Sequence, residues 1–399
     1  MYLLCTILFW ICLLSILHSY VFYPMILKFL AAGKEDNPIV HESPKQLPDV
    51  SFLMSLYNEE KVIEEKMNRL LQLDYPAEKV HFFIGSDCSE DQTNAIMAKF
   101  AAANSQLHFF PFSERRGKPA VVNDISNSAY DLLGQRKDHI FLITDANVMP
   151  DKDCLAKMLR HFKNPEIDLV DSNMVHTGQK SEGISKSETG YISSEVNLKN
   201  QEGKIWKKMI GPFGGFYAIR STHFSEVPQG FLVDDFYIAM RSFEKGGGAI
   251  NELEANCYES VSHEFGEEYR RKSRISAGNF QNLSTFSHLI WPIYKGLGFA
   301  FFSHKVLRWL TPFFLIGLII SCSFLALFVK GFYLVFLSAL AVFFLLVPLL
   351  DKILGLFSFN FYPFRTISYF TAMNIALLQG FFRFLKGVQS SIWEPTQRH

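Results

Sequence analysis

Apolar residues dominate the first 29 positions almost without a break, and two more such runs come late, at 309–329 and 331–350. As helices, each is long enough to cross a hydrocarbon core of roughly 30 Å. The late pair is separated only by Lys330, which predicts a tight helical hairpin. A fourth run, 367–385, contains Asn374, Gln379 and Arg383 and is flanked by Arg365 and Lys386. It reads either as a further crossing or as a helix lying at the interface. From Trp309 to Leu350 the one charged side chain is Lys330, whereas Lys34 to Arg308 is dense in charge. That split predicts a water-soluble domain between membrane segments. No Lys or Arg precedes the first run, and Lys28 and Lys34 close it. The expectation is an anchor rather than a cleaved leader, with the N-terminus outside and the central domain cytoplasmic.

Within the polar stretch the pattern alternates. Apolar strands are predicted at 50–56, 80–86, 107–110 and 140–144, and helices at 58–72, 90–103, 119–133 and 152–161. Tyr75-Pro76 breaks the first helix. This alternation implies a parallel sheet covered on both faces, and such sheets bind ligands beyond the carboxyl ends of their strands. Those ends carry Asn58-Glu59, Ser86-Asp87 and Asp145-Ala146-Asn147. Further on the pattern is less regular: a Gly-rich loop at 211–215, a strand at 216–220, a helix from Asp234 stopped by Gly246-Gly247-Gly248, and a basic amphipathic helix at 267–286. Residues 31–47 read as a linker.

Hydrophobic residues make up 49% of the 399 and Phe alone supplies 40, a load that fits membrane segments. The formal net charge is zero, so no nucleic-acid partner is implied. The six cysteines form no C-x-x-C pair and no metal-ligand spacing, and read as reduced thiols.

Five constellations carry candidate chemistry. Asp87, at a strand tip, can accept hydrogen bonds from a base or ribose, while Asp91 behind it reads as a helix cap. Asp145 with Asn147 offers hard oxygen ligands suited to Mg2+ or Mn2+ and a diphosphate. Asp234-Asp235 opens a helix; the pair either answers the helix dipole or supplies a general base for a hydroxyl acceptor. Arg270, Arg271, Lys272 and Arg274 could neutralise a diphosphate leaving group or bind anionic lipid. Arg116-Gly117-Lys118 lets backbone and ammonium approach a phosphate.

In this order the pieces resemble the inverting family 2 glycosyltransferases of membranes, the group of hyaluronan, cellulose and poly-N-acetylglucosamine synthases. The carrying segments are Ser55-Leu56-Tyr57-Asn58-Glu59-Glu60, Asp74-Tyr75-Pro76, Ser86-Asp87-Cys88-Ser89-Glu90-Asp91-Gln92-Thr93, Gly117-Lys118, Thr144-Asp145-Ala146-Asn147, Gly214-Gly215-Phe216-Tyr217-Ala218-Ile219-Arg220, Asp234-Asp235 and Arg270-Arg271-Lys272-Ser273-Arg274. The resemblance implies an α/β GT-A fold with a Rossmann-like mixed sheet, plus α-helical transmembrane segments. It implies that Asn58, Glu59 and Asp87 hold the nucleoside of a nucleotide-sugar donor, UDP-linked, and that Lys118 lies near the ribose or diphosphate. Asp145 would meet the donor and its metal, Asp235 would be the base, and Arg271 to Ile275 would occupy a Gln-x-x-Arg-Trp motif. Three departures stand out. Asn147 replaces the second acid of Asp-x-Asp, Arg271 replaces the Gln, and Ile275 replaces a Trp that stacks on acceptor sugar in long-chain synthases. Phe280, Trp291 or Tyr294 could supply that platform instead.

The organisation expected is a transmembrane helix at 1–30, a cytoplasmic GT-A domain at 48–290, and a membrane-associated region at 291–399 with two or three crossings. The function expected is inverting sugar transfer to a glycan or lipid-linked hydroxyl acceptor at a bacterial inner membrane, for polysaccharide or glycolipid synthesis. Its partners would be the donor, the acceptor, membrane lipids and other proteins of polysaccharide assembly. The rival readings are a non-catalytic membrane subunit that keeps the fold, and a transporter; the acids Asp87, Asp145 and Asp235 speak against the first, and the large charged domain against the second.

Overall fold

The computed structural model describes residues 1–43, 46–177, 185–260, 265–329, 331–357, 359 and 361–388; the side chains of 185–192, 265 and 267 lie outside the description, as does Lys330. The chain divides into two compact units. One holds residues 31–178, 196–261 and 388–399, and the other 1–30, 179–195 and 262–387.

The first unit is built on an eight-stranded sheet: β1 (Asp49–Leu56), β2 (Val80–Asp87), β3 (Leu107–Phe112), β4 (His139–Thr144), β5 (Val148–Pro150), β6 (Leu169–Thr177), β7 (Phe216–Arg220) and β8 (Ala249–Ser260), in the order β3-β2-β1-β4-β7-β6-β8-β5. β1 to β4 are mutually parallel, as their unbroken apolar runs predict. Beyond β4 the sheet is mixed: β7 runs antiparallel to both β4 and β6, β8 is parallel to β6, and β5 is antiparallel to β8. Val50, Phe52, Met54 and Leu56 alternate onto one buried face, covered by Ile63, Met67 and Leu70 of α1 (Ile63–Leu70) and by Leu155 and Met158 of α2 (Cys154–Leu159). On the other face α3 (Lys118–Leu133) presses against β2 so closely that a Cβ on Gly85 would lie 2.4 Å from Val121. Gly117, at φ 89°, launches α3 with Pro in its first turn. The pairing of β1 with β2 and β4 brings the tips after Leu56, Ser86 and Ile143 to one rim.

Some expectations need correction. The helix predicted at 58–72 begins only at Ile63, because Asn58 takes a left-handed φ of 52° and residues 59–62 form a turn. The strands β5, β6 and β8 and the helix Ser185–Trp206 were not anticipated. The basic helix, which spans Phe265–Phe286, belongs to the helical unit.

That unit holds Tyr2–Leu17, which continues without a break into the span Tyr2–Ala31, together with Thr311–Phe328 and Phe332–Leu356. These are the three described helices long and apolar enough to cross a membrane. Phe9 meets Tyr333 and Phe336 edge-on, with ring centroids 5.2 Å apart in both pairs. Gly317 lets Cys12 approach where a Cβ would lie 2.9 Å from its sulfur. Tyr362–Leu385, which contains the fourth run, packs along Phe265–Phe286, where Gly380 admits Ser276 and the Ser276 hydroxyl donates to Leu377 O at 2.9 Å. Buried Glu195 gathers His304 (3.0 Å), Lys305 (2.9 Å) and Arg308. Burial pushes its carboxyl up, but the three basic groups together hold it well below the usual range.

Candidate active site

Two loops at the strand tips are laced together. The backbone N–H of Asn58 donates to Ser89 Oγ (3.1 Å), and the Asn58 side-chain oxygen accepts from Glu90 N–H (2.9 Å). Glu59 N–H donates to Thr93 Oγ1 (2.8 Å), and Glu60 N–H to Asp91 (3.1 Å). Asp91 also accepts from Thr93 N–H at 2.9 Å, so it caps the helix Thr93–Ala103 as expected. The Arg115 guanidinium lies 3.4 Å from the centre of the Tyr57 ring on this rim, a stack that no sequence motif announced.

Asp87 is nearly buried, and both its oxygens accept backbone N–H groups: Arg116 at 2.7 Å and Gly117 at 2.8 Å. It therefore fixes the loop from which Lys118 starts its helix. The Lys118 ammonium reaches Asp145 at 2.8 Å and Asp234 at 3.5 Å. Burial works to lower its pKa, but Asp145, Asp234 and Asp235 outweigh that and hold it well above the ordinary lysine value.

Asp145 follows β4, with its N–H bound to Gly215 O at 3.0 Å. That contact ties the turn at 145–147 to the Gly-rich loop. Gly214 sits at φ +80°, where a Cβ would lie 2.4 Å from Asp235 Oδ2. The loop is held from below by Asp171, a fully buried carboxylate that accepts from Phe213 N–H (3.1 Å) and lies 3.6 Å from the Lys199 ammonium. Burial lifts the Asp171 carboxyl to about 6 against the pull of Lys199. Asp235 opens α4 (Asp234–Glu244) and is pushed up to about 7, first by burial and then by the charge of Asp234, with Lys118 opposing. A carboxylate poised there matches a general base working near neutrality. Gly214→Ala should displace this carboxylate and, if it is the base, lower turnover on the order of 100-fold; turnover beside a circular-dichroism spectrum checks it, and wild-type turnover by a folded variant would refute it.

Asn58, Glu59, Asp87, Lys118, Asp145, Asn147, Asp234 and Asp235 thus share one rim of the sheet unit. Arg271, Lys272 and Arg274 stand on the basic helix of the other unit, where Arg271 and Lys272 pair with Glu268 at 3.4 and 3.1 Å. Phe280 is buried among Phe313, Phe381 and Phe384, so its ring face is already covered, whereas Trp291 and Tyr294 are exposed. Among the described residues no three His, Cys, Asp or Glu side chains converge on a metal position. The Asn147 amide nitrogen donates to Glu259 at 3.1 Å, which leaves the carboxylate of Asp145 as the main hard ligand. One carboxylate is enough for a Mg2+ or Mn2+ ion that takes its other ligands from phosphate oxygens and water.

At the opposite end of the sheet a basic cavity of about 570 Å³ is lined by Lys208, Arg220 and Lys245 among others. Lys208 donates to Gly247 O, Lys245 to Phe224 O, and Arg220 to the carbonyls of Lys137, Phe162, Asn164 and Ile167. These cations close the ends of loops and helices there.

Residues 51–227 match the family model described as Glycosyl transferase family 2. Over these residues the chain is similar to the family 2 glycosyltransferases. Poly-beta-1,6-N-acetyl-D-glucosamine synthase of Staphylococcus aureus (strain COL) is 24% identical over 259 residues, 62% of this chain and 60% of that protein. The synthase of the same name from Staphylococcus epidermidis is 28% identical over 137 residues, 34% of this chain and 31% of the other. The chain thus spans less than two thirds of the length of these relatives. Among solved structures, mannosyltransferase PcManGT from Pyrobaculum calidifontis, in complex with GDP-Man and Mn2+, superposes with a TM-score of 0.68 at 20% identity, over 95% of this chain and 99% of that one. The likeness is one of fold. It bears out the GT-A fold with helical segments expected from the sequence.

Proposed function

We propose that this glycosyltransferase domain moves a sugar from a nucleotide-diphosphate sugar, UDP-linked, to a hydroxyl of a glycan or lipid-linked acceptor, with inversion, at the cytoplasmic face of a bacterial inner membrane. The observation that carries the reading is the Asp235 carboxyl, lifted to about 7 and set one residue from Asp234, which shares Lys118 with Asp145. Asp235 takes the proton of the acceptor hydroxyl as its oxygen bonds to the anomeric carbon. The bond from that carbon to the diphosphate breaks, and the nucleoside diphosphate leaves. Lys118, held cationic by its acid neighbours, offers its charge to the departing phosphate. A divalent ion, when bound, neutralises negative charge on the diphosphate; Asp145 would hold it, with the Asn147 carbonyl oxygen in reach of the same turn. The Mn2+ and GDP-Man in PcManGT support a metal and a nucleotide sugar, and the name of the staphylococcal relatives supports an N-acetylhexosamine donor. The positive residues after the first apolar run, Lys28 and Lys34, support a cytoplasmic position for the domain. Arg271, Lys272 and Arg274 stay candidates for the diphosphate on the resemblance alone.

We expect a short or lipid-linked product. An aromatic face that stacks on the acceptor sugar holds a growing chain between additions. Ile275 offers none and the Phe280 ring is covered, so of the alternative platforms the exposed Trp291 and Tyr294 are the ones left. The test is a donor screen with detergent-solubilised full chain, reading nucleotide release and product mass. Release from a UDP-sugar with products of a few sugars supports the reading. Release with a high-mass, hydrolase-sensitive product overturns the size expectation, and no release from any donor overturns the activity.

A further inference from the structure

The helix Ile63–Leu70 buries positions 63, 66, 67 and 70 against the sheet, a regular apolar stripe except that position 66 is a lysine. Lys66 is fully buried. Its ammonium donates to Thr144 Oγ1 at 2.8 Å and to the backbone carbonyl of Val148, and lies 5.4 Å from the centre of the Phe216 ring. Those two acceptors are the entry and exit of the turn that carries Asp145, Ala146 and Asn147. Thr144 Oγ1 in turn donates to Gly215 O at 3.0 Å, the carbonyl that also receives Asp145 N–H. One cation under the sheet thus grips both ends of the acidic turn and, through Thr144, the glycine loop beside Asp235.

A bare ammonium in a core is strongly disfavoured unless it is bonded. Burial lowers Lys66 to about 8, with Asp145 among the groups that pull the other way, so it stays cationic at neutral pH. Two lysines therefore attend Asp145. Lys118 contacts it from the rim, with 20% of its side chain exposed, and can turn to an incoming phosphate. Lys66 is sealed in and cannot.

We propose that Lys66 is a positioning residue for donor binding: it clamps the turn at 144–148 at both ends and supplies the fixed positive charge that keeps Asp145 in place when Lys118 engages the diphosphate. This role rests on reading the rim as the donor site.

Lys66→Met tests it, since an unbranched apolar side chain of similar length fills the space in the surrounding core while removing the charge and both hydrogen bonds. In full-length detergent-solubilised protein, affinity for UDP with Mn2+ is expected to fall about 10-fold by calorimetry. Where a donor is turned over, its KM should rise about as much, with kcat within a few-fold of wild type. Amide exchange over 144–148 should quicken about 10-fold while the rest of the sheet keeps its protection. Thr144→Val, which removes one of the two acceptors and keeps the lysine, should show the same effects more weakly, and the double variant should be no worse than Lys66→Met alone. Wild-type UDP affinity and wild-type exchange at 144–148 in Lys66→Met would overturn the proposal; should that variant not fold, the same result in Thr144→Val would do so. If the unsubstituted protein binds no nucleotide, the donor-site reading and the donor role fail together, while the exchange measurement still tells whether the clamp exists.

Discussion

Asp235→Asn should lose sugar transfer by about 100-fold or more while binding nucleotide as the unsubstituted protein does. Asn keeps the size of the side chain but cannot take the acceptor proton. The pH dependence gives the prediction a second edge. With its carboxyl lifted to about 7, Asp235 is protonated in the folded protein over a range where the unfolded chain has already released the proton. The folded state is therefore favoured most at low pH by this group, and its contribution is lost as pH rises from about 4 through about 7. Transfer should climb over the upper part of that window, to a plateau above about 7. Asn cannot ionise, so the variant should melt higher than the unsubstituted protein at pH 8, with the gap closing near pH 4. Melting curves at the two pH values and a rate profile check both parts. An Asn variant that turns over normally would remove Asp235 from the mechanism and point to Asp234.

Excess chelator should abolish transfer, with Mg2+ or Mn2+ restoring it, and Asp145→Ala should weaken donor binding about 10-fold or more. The turn offers one carboxylate of the hard-oxygen kind, so removing it leaves a divalent ion with only donor oxygens, water and an amide. The substitution also strips Lys118 of its nearest partner, at 2.8 Å, so some of the loss should persist without metal. Donor titrations with and without Mn2+ separate the two effects. Full activity in excess chelator would refute the metal and leave Lys118 as the leaving-group partner.

The parallel half of the sheet was legible because its strands are apolar on both faces and its helices start and stop at Gly, Pro and capping acids. β6 was not, because Asp171, Ser172 and Asn173 read as a polar loop. In the fold Asp171 receives the Phe213 N–H, and the Asn173 amide donates to Leu253 O at 3.0 Å, so two of these polar side chains are bonded within the strand. The helix Ser185–Trp206 lacks a clear apolar stripe, which removes the main signal for a helix. At the rim, the candidates at the strand tips were legible in the pattern, whereas their supports were not. Lys66 occupies a core position where pattern reading expects an apolar residue, and the link from Asp171 to the glycine loop spans 42 residues. Asp87 was expected on the ligand; that both its oxygens also hold the loop before Lys118 was not legible.

The rim is assembled from two separately braced halves. Asn58, Ser89, Asp91 and Thr93 lash the first pair of loops to each other. The glycine loop beside the base hangs from Asp171. On the proposed reading, substitutions that loosen the first half should alter nucleotide affinity while leaving the Asp235 carboxyl where it is.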